Sequence, residues 1–173
     1  HDGGARGVFL GYDFHLDRDG LGLIEINTNA GGAMLNAALA RAQRSCCEAM
    51  EQLVPRFQHV IAFEREIFAM FEAEWRRAGR TRPLRRIAIV DASPQQQYLY
   101  PEFVLFRGLF ERRGVPAIIV DPSSLELHDG ELRHDGLPLD LVYNRLTDFY
   151  FEEPASAALR DAWLSDAAVV TPH

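Results

Sequence analysis

The sequence predicts an α/β fold in which a β-hairpin and two helices precede a βαβ unit. Three observations predict it: alternation on both sides of a Gly-ended turn near the start, a helical apolar period after residue 33, and short apolar runs separated by helical stretches from Arg85 onward. Its 173 residues fit one domain, or one domain and a fragment of another. Hydrophobic residues at 47% and charged residues at 25% allow a normal core and exclude wholesale disorder.

The run VFLGYDFHL, the turn DRDG and the run LGLIEINT predict the hairpin. Val8, Leu10, Tyr12, Phe14, Leu16, Ile24 and Ile26 form one apolar side, expected to pack on a core. Asp13, His15, Glu25 and Asn27 form the other. A three-residue loop, Arg18 to Gly20 with Gly20 left-handed, pairs Asp17 with Leu21, and the ladder then sets Asp13 against Glu25 and Gly11 against Asn27. A two-residue loop is expected to break that arrangement.

Residues 33 to 54 predict a helix through Leu35, Leu39, Ala42, Cys46, Met50 and Leu53, which Pro55 ends. A second helix runs from Phe57 to Ala78 and buries Phe57, Ile61, Phe68, Phe71 and Trp75, with Gly79 as its stop. GRTRP is a polar linker. RIAIVD, a helix ending at Gly114, and PAIIVD make a Rossmann-like βαβ unit. LELHDGELRHDG predicts an inserted hairpin, DLVYNRL a strand, residues 152 to 165 a helix, and AAVVTP a last strand. Three segments follow: a hairpin over 1–32, helices over 33–84, and the Rossmann-like unit over 85–173, truncated at its end.

The 18 basic residues against 25 acidic ones leave a net charge of −7, which excludes nucleic acid and membrane as main partners. All of the basic residues are arginine, so neither a P-loop lysine nor a Schiff-base lysine is present. Cys46 and Cys47 are adjacent and no CxxC pair, leader or run of 18 apolar residues occurs; a reduced, cytoplasmic protein is expected. A start at His1 rather than Met suggests a piece of a longer chain.

Like charges directly across a ladder repel, so Asp13 and Glu25 need either open solvent or a cation. Two carboxylates and the Asn27 oxygen are a hard-oxygen set suited to magnesium, which commonly takes one or two carboxylates and fills its shell with water and phosphate. The alternative is a solvated hairpin face.

The stretch LIEINTNAGG, residues 23 to 32, resembles the metal-binding strand of ATP-grasp ligases, where a Glu-x-Asn pair reaches magnesium. It is closer to circularly permuted ATP-grasp proteins, including the ligase domain of glutathionylspermidine synthases. There an Asp twelve residues before the Glu completes the set, a spacing that Asp13, Glu25 and Asn27 match. The region from YLYPEF to LVYNR is similar to the substrate-side, pre-ATP-grasp domain of the same proteins, and the chain order agrees. Two departures stand out: Gly11 where the synthases carry Arg, and no counterpart of the nucleotide-holding lysines. The resemblance implies an ATP- and Mg-dependent carboxylate–amine ligase acting through an acyl-phosphate, present here as a fragment. Its partners would be a small-molecule or peptide carboxylate and an amine.

Other candidates are open between two readings. Asn29, Gly31 and Gly32 either bring backbone amides to a phosphate or substrate, or simply enter a helix. Asp91, Ser93, Gln96 and Tyr98 lie where open α/β sheets bind ligands, although Ser93 can equally cap a helix that has Pro94 in its first turn. Asn144 and Arg145 either offer a fork to a carboxylate or phosphate, or pair with Asp148 structurally. No zinc spacing or GxSxG motif is present. A non-catalytic binding protein on the same scaffold is the rival function; the absent lysines and Gly11 favour it.

Overall fold

The computed structural model describes residues 3–18, 20–42 and 57–173 and shows a mixed α/β protein. Strands β1 (Gly11–Asp17) and β2 (Gly20–Asn27) form the antiparallel hairpin, followed by helices α1 (Ala33–Ala42) and α2 (Phe57–Arg77). Next come β3 (Ile87–Val90), α3 (Tyr100–Arg112) and β4 (Ala117–Val120). Strands β5 (Glu126–His128), β6 (Glu131–His134) and β7 (Leu137–Pro138) form an antiparallel meander where a hairpin was expected. Strand β8 (Leu141–Asn144), helix α4 (Ala157–Leu164) and strand β9 (Val169–Thr171) complete the order. The expected helix over 33–54 is helical through Ala42; its remainder, with Cys46 and Cys47, lies outside the described residues, as does Asp19.

Strands β3, β4, β8 and β9 pair in parallel in the order β4-β3-β8-β9. Period-two alternation divides their side chains between two cores. Ile87, Ile89, Leu141, Tyr143 and Val169 join Ile67, Phe71 and Trp75 of α2 and Phe103, Phe106 and Phe110 of α3 on one face. Ala88, Val90, Val142 and Val170 meet Leu132, Leu139, Leu159 and Ala162 on the other. Helices therefore cover one face, and α4 with the meander covers the opposite one. Burial on both faces is why these strands read as unbroken apolar runs.

Helix α2 carries Phe71 and Trp75 into the core as expected, but Ile61 is exposed, and the buried stripe runs through Val60, Glu64, Ile67 and Glu74 instead. Buried Glu74 accepts from the backbone N–H groups of Arg6 and Gly7 at 2.6 and 2.9 Å and from Thr171 Oγ1 at 3.0 Å. One carboxylate thus ties the lead-in to β1, helix α2 and strand β9 together. Among the described residues no helix is long and apolar enough to cross a membrane.

The hairpin departs from expectation in its packing. Val8 is buried and Phe9 sets its ring edge-on to Phe71 and Phe106, but from Leu10 onward the apolar side chains are exposed, including Tyr12, Phe14, Leu16, Ile24 and Ile26. Both strands are exposed along their length apart from half-buried Gly11, so Val8 and Phe9, ahead of the strand, anchor the hairpin, not the strand's own apolar side. Register differs too. The turn closes with Asp17 opposite Gly20, leaving a two-residue loop, and a bulge between Asp13 and Phe14 takes up Ile24, so that Asp13 still faces Glu25 and Gly11 still faces Asn27.

Candidate functional site: a carboxylate pair beside a cleft

Asp13 and Glu25 are held on one face of the hairpin by direct cross-strand pairing, and Asn27 lies next along the same face. The Asn27 amide nitrogen donates to Glu25 Oε1 at 3.0 Å and to Asp13 Oδ2 at 3.4 Å. That N–H group sits between the two carboxylates and relieves their repulsion without burying either. Among the described residues no group of three or more His, Cys, Asp and Glu side chains is placed to hold a metal. This set has two carboxylates, and its third oxygen belongs to an amide. His15 on the same face is exposed, 3.6 Å from Asp17.

Asn27 is also where the hairpin meets a cleft of about 960 Å³. Its lining comes from residues 26–29 at and just beyond the end of β2, Asp91 and Ala92 after β3, residues 97–99 leading into α3, and residues 145–149 after β8, among others. Strand β3 leads through α3 to β4 on one side, and the chain later returns to β8 on the other side, so the cleft opens at the switch point of the sheet, at the carboxyl ends of its strands. The topology alone creates this crevice.

Arg145 is the cation of the cleft. Its Nη1 donates to Asn29 Oδ1, to Ala30 O at 3.0 Å and to the Tyr143 hydroxyl at 3.2 Å, and the guanidinium lies over the Tyr143 ring at 5.3 Å. These contacts, not a pair with Asp148, hold it. Burial pushes the Tyr143 hydroxyl pKa up, against the pull of Arg145. Asp148 instead accepts from Glu153 N at 3.0 Å, and that bond, with further backbone amides, holds its carboxyl below the ordinary range.

The glycine loop before α1 is not an open anion cradle. Glu102, buried on α3, accepts from Gly32 N at 2.7 Å and Met34 N at 2.9 Å, so a carboxylate of the protein itself caps α1 and occupies its N-terminal amides. Gly31 is required by close approach: a Cβ there would stand 2.6 Å from Leu99 Cδ1, 3.3 Å from Arg145 Nη2 and 3.4 Å from Glu102 Oε2. Gly31 and Gly32 thus serve helix entry and packing, the second of the two expected readings, while Asn29 lines the cleft.

The loop after β3 divides likewise. Tyr98 lines the cleft and is almost fully exposed, and Gln97 lines it where Gln96 does not. Ser93 is left-handed at φ 43° and caps nothing with its side chain; its backbone N–H donates to Asp121 at 2.7 Å. The Ser93 side chain therefore makes no capping hydrogen bond, and Ser93 is not among the residues that line the cleft. Hydrogen bonds from the Ser123 hydroxyl and from the Ser93 and Ser123 amides hold the Asp121 carboxyl low. Asn144 is fully buried and structural, donating to Pro172 O at 3.2 Å and accepting from Leu146 N at 3.1 Å. Desolvation lifts the pKa of half-buried Asp91 above the usual carboxylate range, although Ala92 N–H and Arg145 pull it back.

Sequence reasoning did not assign a role to Glu102. It lies in the first turn of α3, where an acid ordinarily serves its own helix, and no local pattern reveals that it caps another. Gln97 and Glu153 were also unassigned, and only the return of β8 beside β3 brings them to one cleft. The chain matches no protein-family model and no curated protein.

Proposed function

We propose that the chain is part of an ATP- and Mg-dependent carboxylate–amine ligase of the circularly permuted ATP-grasp type, working through an acyl-phosphate. The observation that carries this reading is the convergence of Asp13, Glu25 and Asn27 on one hairpin face, with Asn27 shared between that face and the cleft. Two carboxylates are hard-oxygen donors that suit Mg²⁺, and the Asn27 oxygen would join them once its amide, whose nitrogen now faces both, is turned over. When bound there, Mg²⁺ would neutralise phosphate oxygens and favour attack by a carboxylate. On this reading the hairpin and the parallel sheet correspond to the metal strand and the pre-ATP-grasp domain of the synthases. The nucleophile belongs to the substrate, which agrees with a cleft that lines no Cys or Ser beside a His.

A second reading, a non-catalytic binding protein on the same scaffold, is favoured by one observation: Glu102 already fills the helix amides that would otherwise receive an anion. Calorimetric titration with Mg²⁺ separates the two. The ligase reading expects a saturable Mg²⁺ heat that Asp13→Asn and Glu25→Gln each weaken by about tenfold, as loss of one charged ligand should. Identical heats in wild type and Asp13→Asn would remove the ligase reading and leave the second.

A further inference from the structure

The hairpin has two unlike faces, and the metal candidates use only one of them. Cross-strand pairing puts Tyr12 with Ile26, Phe14 with Leu23 and Leu16 with Leu21 on the same side. All six are exposed, by 49% to 76%, and the Tyr12 and Phe14 rings stack at 6.4 Å along the ladder. On the reverse side Asp13 faces Glu25, His15 faces Gly22 and Asp17 faces Gly20, which accounts for every ionic side chain of the two strands. The apolar side therefore carries no charge.

Six side chains of this size and exposure present roughly 700 Å² of surface, more than the largest apolar patch of an ordinary monomer. That area falls within the roughly 600–1,000 Å² that each partner brings to a stable dimer. A two-stranded ladder with no covering layer is also marginal in water. A layer over this face would thus steady the pairing of Asp13 with Glu25 on its back.

Charge decides what that layer is. A net charge of −7 opposes an anionic bilayer. It opposes a second copy as well, except through a surface whose carboxylates point away, and this face is such a surface. With the Tyr12 hydroxyl as its one polar side-chain group, the patch offers an unlike partner little to select, whereas a two-fold axis makes it its own complement.

We propose that this face is the interface of a homodimer, in which two copies pack their hairpins face to face about a two-fold axis with Phe14 and Leu23 at its centre. Both carboxylate pairs then point outward and stay open to an ion. The interface stands independently of the ligase reading.

Sedimentation equilibrium of the full chain, without metal or nucleotide, should give twice the chain mass of 19.5 kDa, with a dissociation constant of about 1 μM or tighter. Phe14→Arg should weaken association by about a hundredfold, since each copy loses an apolar contact and gains a charge facing its twin. His15→Arg, the same side chain on the reverse face, should leave association within about twofold. Phe14 belongs to neither core, so the arginine variant keeps its sheet. Amide exchange over residues 12–16 and 21–26 should slow as the wild-type concentration rises, while exchange in β3 and β8 should not. A single-chain mass up to about 100 μM would overturn the proposal: binding of that monomer to neutral phosphatidylcholine vesicles would give the face to lipid, and no such binding would give it to an unlike protein. A dimer indifferent to Phe14→Arg, or protection confined to residues outside the hairpin, would overturn it equally. A dimer without a Mg²⁺ heat would keep the interface and remove the ligase; a Mg²⁺ heat in a chain that stays single would do the reverse.

Discussion

Replacing Glu102 by Gln tests whether this carboxylate fastens the base of the hairpin to the sheet. Its two oxygens accept from Gly32 N and Met34 N at 2.7 and 2.9 Å in a site where Glu102 is 1% exposed. Glutamine has the same shape but one oxygen, so one N–H keeps a partner and the other faces an NH₂ group. Loss of a hydrogen bond to a charged group costs about 1.5–3 kcal/mol, and a buried N–H left without an acceptor costs a similar amount. Because these are two views of one lost bond, the expected destabilisation is about 3 kcal/mol rather than their sum. For a chain of this size that lowers the thermal midpoint by roughly 6–12 °C. Calorimetric or circular-dichroism melting measures it, and amide exchange at Gly32 and Met34 should accelerate in parallel. A midpoint within about 1 °C of wild type, with exchange unchanged, would refute the capping role.

Two further perturbations probe the sheet. Phe71 is fully buried, with ring centroids 4.9 Å from Phe110 and 5.0 Å from Tyr143, so Phe71→Ala should cost about 3–5 kcal/mol in urea unfolding; a loss under about 1 kcal/mol would mean that the aromatic cluster collapses to fill the gap. Asp140 is opposed by burial, yet hydrogen bonds from Arg82 at 2.6 and 2.7 Å and from Arg85 hold its carboxyl below the ordinary value. A depressed carboxylate contributes stability that is fully present above its unfolded value near 4 and is lost as pH falls through the lower folded value. Asp140→Asn should therefore cost about 3 kcal/mol at pH 7, the low end for a broken buried pair because both arginines stay half-exposed. The gap to wild type should narrow in urea titrations below pH 4, and a gap that widens with acid would contradict the ion-pair account.

The parallel sheet was legible because its strands are short apolar runs, two of them leading into Asp91 and Asp121, and the structure gives strands at Ile87–Val90, Ala117–Val120, Leu141–Asn144 and Val169–Thr171. Tyr98 was legible as a cleft residue from the rule that ligands lie at strand carboxyl ends, and Arg145 from its place near the end of DLVYNRL. Ser93, Gln96 and Asn144 were misplaced by the same rule, which names a loop but not which side chains turn inward. Asn144 stands at the strand end, yet its parity directs it to Pro172 O and Leu146 N, whereas Arg145, one residue on, reaches the cleft. Glu102 was invisible because its partners lie 68 and 70 residues away.

The hairpin shows why a correct contact need not rest on a correct path. A three-residue loop with its bulge at Gly20 and a two-residue loop with a bulge at Ile24 give the same register from Asp13 onward, since each adds one residue to the same arm. Sequence favours the first through Gly20, whereas the second is what forms, with Asp17 opposite Gly20 and Ile24 extra. The difference is confined to the tip, where Phe14 meets Leu23 and Leu16 meets Leu21, and it vanishes at Asp13 and Glu25. The bulge lies directly beside the carboxylate pair, so the feature that corrects the register also adds local twist at the metal candidates. Deleting Ile24 should then close the bulge and leave Glu25 opposite Asp13, so any Mg²⁺ heat should survive and the melting of the sheet should stay unchanged, because the exposed ladder contributes little to either core. Loss of the Mg²⁺ heat in that variant, with the sheet intact, would mean that the pairing alone does not hold the ion.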